Sequence, residues 1–299
     1  MTRRELISGF GGFAFLERRG EVYPLRASYN YATRRRYPAL YRQLAAAPFI
    51  HTLPVQRLLD DPSARDDERL AERIRWHAVH PPSMPPEEDT LAPAWPRFAW
   101  KVARAMEWTH VLHDQLIDIL SDDRVRDKPA ALRRAIDFYR RDPLAIAARP
   151  LKTELLSAFP YSHEFHHAYP QCMGVMMAYH WLQGAQYDAV PGGWVEGALA
   201  RFRELLAWPP QYFPLSHKSG PKFHERAPEA GYIFDNLHML HHLAQDILIT
   251  DKIRGPEAKR AELYRIAGLF FERTGRPEWF AEGPQEEPPM PIATHHHHG

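Results

Sequence analysis

Residues 229–250 have the sequence EAGYIFDNLHMLHHLAQDILIT. Apolar residues recur in it every three or four positions, which is the spacing of a helix. No lysine or arginine occurs between Arg226 and Lys252. Because these two residue types usually mark a solvated helix face, a helix without them is expected to be enclosed by protein. The stretch therefore predicts a long buried helix in a mainly α-helical protein.

Four polar side chains form a stripe along this helix. Asp235, His238, His242 and Asp246 follow one another at intervals of three and four residues. At about 100° per residue they span about 80° of the helix surface, and His241 is expected on the other side. A buried imidazole serves as a metal ligand, a heme ligand, a proton carrier or a member of a hydrogen-bonded network. We interpret the stripe as a candidate ligand face.

A second segment without lysine or arginine lies between Lys152 and Arg201. It contains Glu164 and His167, which are three residues apart. His180 follows on a predicted methionine-rich helix with no carboxylate three or four positions away. Since one histidine suffices to hold heme iron, His180 is a candidate heme ligand.

The third group lies on a helix expected over residues 97–120. Glu107, His110 and Asp114 fall within about 60° of one another on its surface, and His113 lies farther toward the apolar side. A Glu-x-x-His pair on one helix face is the ligand pattern of helical di-iron proteins. There, carboxylate oxygens and imidazole nitrogens share the metal ions.

These patterns predict an iron-dependent oxygenase or oxidase with a non-heme site of two iron ions. Its expected reactants are dioxygen and a small aromatic or apolar molecule. The candidate metal ligands are Glu107, His110, Asp114, Asp235, His238, His242, Glu164 and His167.

Three other functions stay open at this point. One is a heme-dependent aromatic oxygenase, with His180 or His238 as the iron ligand. Another is a metal-dependent phosphohydrolase of the HD type, whose ligands would come from His77, the adjacent His113 and Asp114, and Asp188 or Asp246. The third is a non-catalytic helical binding protein whose histidines complete buried polar networks.

Composition narrows the class of protein further. The 299 residues carry a formal net charge of +1, and basic residues form no long block, so nucleic acid is not an expected partner. No apolar run approaches the roughly 20 residues that span a bilayer. Cys172 is the single cysteine, which excludes an intrachain disulfide and makes the cytoplasm the default compartment. A homo-oligomer is left open.

The expected organisation is one helical catalytic domain over residues 37–281. Residues 1–36 form an N-terminal appendage in which two short apolar runs flank Arg18-Arg19-Gly20 and suggest a hairpin. Residues 282–299 are rich in proline and glutamate and end in His295 to His298 and a glycine, so we expect a disordered tail with a purification tag.

Local signals predict the remaining elements. Ser63 and Asp66 have capping-box spacing and should open a helix that reaches Val79. Prolines make residues 80–96 an extended connector. Residues 209–230 are expected to lack regular structure, as a lid or as a linker. The other predicted helices cover residues 129–141, 171–188, 193–207, 229–250 and 256–274.

Overall fold

A computed structural model describes residues 31–151, 153–210 and 212–272. Within these ranges the chain is mainly α-helical and contains no strand, apart from one isolated bridge between Ile146 and Phe271. The predicted fold class is therefore confirmed. The predicted hairpin and the tail from residue 282 onward lie outside the described residues.

The helices are numbered in chain order. They are α1 (Tyr31–Arg36), α2 (Pro38–Leu44), α3 (Ala47–Asp60), α4 (Asp67–Val79), α5 (Glu88–Leu91), α6 (Ala94–Ser121), α7 (Lys128–Tyr139), α8 (Glu164–Ala168), α9 (Pro170–Gly192), α10 (Val195–Ala207), α11 (Ser216–Ser219), α12 (Pro221–Arg226), α13 (Pro228–Ile249) and α14 (Pro256–Phe270). A short 3₁₀ turn covers Thr153–Ser157.

Helices α9 and α13 are buried on nearly all sides. Each begins with a proline, Pro170 or Pro228, whose missing N–H costs nothing in a first helical turn. Gly193, with a φ of 70°, follows the end of α9 in the left-handed conformation that favours glycine. Helices α3 and α6 both pack against α9 and α13. Four helices therefore meet in the interior of the protein.

The start of α4 differs from the capping-box prediction. Both the backbone N–H and the hydroxyl of Ser63 donate to the carboxylate of Asp61, at 3.0 and 2.6 Å. The carboxylate of Asp66 binds Arg57 instead of capping the helix. Since both predicted capping groups have other partners, the helix begins at Asp67.

The predicted extended connector over residues 80–96 is wrong in its second half. After four prolines, α5 forms at Glu88–Leu91 and α6 begins at Ala94. Pro93 and Pro96 do not prevent this helix, because the first N–H groups of a helix have no intrahelical acceptor. The backbone of α6 leaves helical geometry at Ala99.

The segment over residues 209–230 is more ordered than predicted, because it contains α11 and α12. The carboxylate of Asp188 accepts hydrogen bonds from the backbone N–H groups of Lys222 and Phe223. Gly220 lies so close to Gly184 that a Cβ on Gly220 would be 2.5 Å from the Gly184 carbonyl oxygen. The segment is therefore packed tightly against α9.

The described part of the predicted appendage is α1, which docks on α6. The backbone N–H and the hydroxyl of Thr33 both donate to Asp118, at 2.9 and 3.1 Å. Apart from the short α5 and α11, the helices from α2 onward share one hydrophobic core. Among the described helices, none combines the length and apolar character that crossing a membrane requires.

Candidate metal centre

Five histidines meet where α3, α6, α9 and α13 come together. The ring of His51 from α3 has its centroid 4.8 Å from His110 of α6, 4.9 Å from His241 of α13 and 5.3 Å from His180 of α9. The ring of His238, also from α13, stacks on His180 at 3.8 Å. Four of these side chains are buried, and His110 is 15% exposed. We call these five residues the histidine cluster.

The histidine cluster contains two sets of three potential metal ligands. In the first set, His51, His180 and His238 each place one nitrogen within 4.8 Å of the others. His51, His110 and His241 do the same in the second set. One ion with metal–nitrogen bonds of about 2 Å joins ligand atoms up to about 4 Å apart, so each set needs at most a small adjustment. Either trio could hold a metal ion.

Most ring nitrogens of the cluster have no hydrogen-bond partner among the described residues. Both nitrogens of His51 and of His180 are in this state, as are Nε2 of His110 and His238 and Nδ1 of His241. A buried polar atom without a partner costs about 1–3 kcal/mol, and native proteins rarely leave one. A metal ion would supply the missing partner, so the residues present fit one.

Burial keeps four of the five histidines of the cluster in the form that binds metals. The pKa lies well below the ordinary value of 6.5 for His51, His180, His238 and His241. Loss of hydration is the larger cause, and repulsion from neighbouring imidazoles is the smaller one. These rings are therefore neutral at physiological pH, and neutral imidazole has the lone pair that a metal needs.

His110 differs because it has an acidic partner. Its Nδ1 lies 2.6 Å from Oε1 of Glu88, which α5 carries to the wall of the cluster. Burial lowers the pKa of His110, but the charge and hydrogen bond of Glu88 outweigh burial and leave the pKa raised. A carboxylate behind an imidazole fixes the orientation of the ring and makes its other nitrogen a better metal ligand.

A small cavity lies beside the first trio and is lined by both His180 and His238. Its volume is about 10 Å³, which is room for about one water molecule. The segment with α11 and α12 covers one side of this cavity through Ser216 and Phe223. The remaining lining residues are His113, Gln183, Gly184, Tyr187, Pro214, Ser219, Gly220, Phe234 and Asp235.

The two aspartates of the predicted stripe cap other segments and belong to neither trio. Asp235 accepts hydrogen bonds from the backbone N–H and the hydroxyl of Ser216, at 2.8 and 2.9 Å. Asp246 accepts from the backbone N–H groups of His163 and Phe165, at 2.9 and 2.8 Å. Burial raises the pKa of each aspartate to about 7, although the hydrogen bonds act in the opposite direction.

Four other predicted ligands also lie outside the trios. Glu164 pairs with Lys252 at 2.8 Å, and His167 is exposed beside two further histidines. Glu107 and Asp114 are half-buried on α6, where their charges help to raise the pKa of His110.

His242 lies next to the histidine cluster without joining either trio. Its ring centroid is 5.7 Å from that of His180, and its Nε2 has no hydrogen-bond partner within the described chain. Burial, with repulsion from two other histidines, lowers its pKa to about 3. Of the predicted metal ligands, His238 therefore belongs to the first trio and His110 to the second. His180, the ligand of the heme alternative, belongs to the first trio.

Sequence reasoning missed one member of the histidine cluster and misplaced another. His51 was not singled out, although no charged residue occurs between Arg42 and Arg57, which is the same signal that drew attention to the other segments. The placement of His241 away from the site was wrong. Helix α13 is enclosed on nearly all sides, so His241 meets α3 and α6 while His238 meets α9.

The residues of the HD-type alternative are not brought together. The ring of His77 stacks on Phe49 at 3.6 Å, near the surface. His113 contacts the amide of Gln186 at 3.2 Å. The carboxylates of Asp188 and Asp246 cap α12 and α8.

Comparison with known proteins does not indicate a function. No family model, curated protein or solved structure matches the chain. The function therefore has to be argued from the histidine cluster and its surroundings.

Proposed function

We propose that this protein is a metal-dependent oxidoreductase whose histidine cluster binds a redox-active metal and uses dioxygen to oxidise a small aromatic or apolar molecule. The observation that carries the proposal is the set of buried nitrogens of His51, which both ligand trios share, and of His180, which have no hydrogen-bond partner among the described residues. A metal ion would bind one nitrogen of each ring, whereas a purely structural cluster would leave that nitrogen without a partner.

The ligand chemistry supports iron or copper. Imidazole nitrogen binds iron, copper, zinc and nickel, and the first two of these carry out oxygen chemistry in proteins. The paired-iron pattern expected from the sequence relies on carboxylates from several helices, but each trio consists of histidines alone. We therefore favour one iron or copper ion in the first trio over a carboxylate-bridged pair of irons.

The first trio is favoured because the cavity adjoins it. A catalytic metal needs an open position for a reactant, and His180 and His238 belong both to the trio and to the cavity wall. A bound redox ion would pass electrons from the small molecule that is oxidised to dioxygen. The rings of Tyr187, Phe223 and Phe234 exclude bulk water from the cavity.

Gln183 offers a polar contact for a substrate. It lines the cavity, and its side-chain oxygen is buried without a hydrogen-bond partner in the described part of the chain. The cavity has room for about one water molecule, so only a terminal hydroxyl or N–H group of a substrate could enter it and donate to this oxygen, while the apolar body of the substrate stayed outside.

Heme fits the site less well than a bare ion. A porphyrin that approached His180 would have to displace His238, whose ring stacks on it at 3.8 Å. The adjoining cavity of about 10 Å³ is far smaller than a macrocycle.

The test is metal analysis by mass spectrometry together with an absorption spectrum. The chain should carry His295→Ala to His298→Ala, because the terminal histidines bind metals themselves. We expect about one iron or copper per chain without an intense Soret band. Loss of one ligand should lower metal content at least about tenfold in His51→Ala and in His238→Ala. The exposed His217→Ala is the matched control and should retain the metal.

Two results would contradict the proposal. Normal metal content in both cluster variants would show that the metal binds elsewhere. A wild-type chain that purifies without metal, and whose thermal stability is the same with added iron, added copper or chelator, would indicate a non-catalytic helical protein.

A further inference from the structure

A second cavity opens on the surface between the start of α7 and the junction of α12 with α13. Its volume is about 620 Å³, which is within the range of small-molecule binding sites. None of its lining residues belongs to the histidine cluster. We call it the basic cleft, and it is lined by Leu120, Arg126, Lys128, Pro129, Leu132, Arg133, Ile136, Asp137, Arg140, Pro191, Arg226, Ala227, Pro228 and Glu229.

The floor of the basic cleft is apolar. Leu120, Leu132, Ile136 and Ala227 are buried and line the cavity. Prolines from three different elements extend this surface toward the solvent. The floor can therefore cover the apolar body of a ligand.

The rim of the basic cleft is charged, with five basic residues against two acidic ones. Two of the basic groups already have partners. The ammonium of Lys128 donates to three backbone carbonyls, including those of Ile119 and Leu120, and Arg140 pairs with Glu272. These two side chains are parts of the scaffold.

Three arginines on the rim are free to bind a ligand. Arg126, Arg133 and Arg226 are exposed, and none of them forms an ion pair or side-chain hydrogen bond with another described residue. A guanidinium presents N–H groups in a planar fork that matches a carboxylate or phosphate. Three such groups lie above an apolar floor. A ligand that matches this surface therefore needs both a negative charge and a hydrophobic body.

We propose that the basic cleft binds a small organic anion, in which a phosphate or carboxylate group is attached to an aromatic or aliphatic body. The anion pairs with Arg133 and Arg226, which approach from α7 and α12, and the body lies on Leu132 and Ile136. This site is independent of the metal proposed above, because it shares no lining residue with the histidine cluster.

Isothermal titration calorimetry with phenyl phosphate tests this site on the full chain. We expect one molecule bound per chain, weaker binding of inorganic phosphate because it has no body, and no measurable binding of neutral benzyl alcohol. Added salt should weaken the binding of phenyl phosphate, because the contact is between charges near the surface.

Matched arginine variants locate the binding. Arg133→Ala and Arg226→Ala should each weaken phenyl phosphate binding about tenfold or more, the effect of losing a charged hydrogen bond. Arg134→Ala is the control, since Arg134 is the next residue on α7, is also exposed and does not line the cleft. Circular dichroism of each variant checks that the helices are intact.

Two outcomes would overturn the proposal. If Arg134→Ala weakens binding as much as Arg133→Ala does, the effect is general surface charge and not a site. If benzyl alcohol binds as tightly as phenyl phosphate, the cleft selects apolar molecules without regard to charge.

Discussion

Replacing His113 with glutamine should change the dependence of stability on pH. The side chain of His113 is 3% exposed. Its pKa is lowered to about 3, mainly by burial and to a smaller extent by repulsion from His110. The same ring in an unfolded chain has a pKa of about 6.5. Glutamine is close in size and can still contact Gln186, so the substitution mainly removes the titrating group.

The sign and size of the effect follow from proton binding. Below about pH 6.5 the unfolded chain binds a proton at His113 that the folded chain does not bind, so acid favours unfolding. Each pH unit below this point lowers the free energy of unfolding by about 1.4 kcal/mol, until the folded pKa near 3 is reached. Between about pH 7 and about pH 4.5 the loss amounts to roughly 2 to 3 kcal/mol.

Urea unfolding followed by circular dichroism, with chelator present, measures this difference. From about pH 7 to about pH 4.5, the stability of His113→Gln relative to wild type should rise by roughly 2 to 3 kcal/mol. Asp235 and Asp246 titrate in the opposite direction, but both proteins contain them, so their contribution cancels in the comparison. The control is His217→Gln, a change at an exposed histidine. Its free energy of unfolding should change between these two pH values by the same amount as that of wild type. If His113→Gln does so as well, burial does not hold this ring neutral.

Three further substitutions test other contacts. Glu88→Gln should leave metal affinity unchanged in competition dialysis, because Glu88 lies behind His110, which belongs only to the second trio, and a loss of about 10- to 100-fold would place the metal in that trio instead of the first. Gly220→Ala places a Cβ 2.5 Å from the carbonyl oxygen of Gly184 and should lower stability by about 1–3 kcal/mol in urea. Gly268→Ala, in open space on α14, is its control and should be neutral or gain up to about 1 kcal/mol, so an equal loss in both would contradict the packing argument. Asp188→Ala removes the acceptor at the start of α12 and should cost about 1–2 kcal/mol of unfolding free energy, whereas wild-type stability would show that this cap is unimportant.

The long helices could be predicted because their signals are local. Helix α13, expected over 229–250, covers Pro228–Ile249, and α9, expected over 171–188, covers Pro170–Gly192. A proline at the start and an uninterrupted apolar segment are enough to define such an element. The short α11 and α12 could not be predicted in this way. Their first backbone N–H groups bind Asp235 and Asp188, which are distant in sequence, so their stability depends on tertiary contacts.

The candidate site could be predicted only in part. A helical wheel identifies the buried face of a helix when the opposite face is exposed to solvent. Helix α13 is buried on nearly all sides, so the wheel could not place His241. Spacing also does not distinguish a carboxylate that binds a metal from one that caps a helix. Asp246 has the spacing of a ligand, yet both of its oxygens accept backbone hydrogen bonds. That distinction requires the partners, which only the folded chain provides.

The membership of His51 in both trios governs the order in which metal ions would load. A neutral imidazole has one lone pair and one N–H, so it can serve one ion at a time. A second ion could use His51 only after the remaining N–H proton had left, which makes the two occupancies antagonistic. Each ion therefore weakens the binding of the other by the same factor. The effect becomes smaller as pH rises, because the N–H proton then leaves more easily. A metal titration of this protein should therefore show one strong step and a second, weaker step that moves to lower metal concentration in alkaline solution.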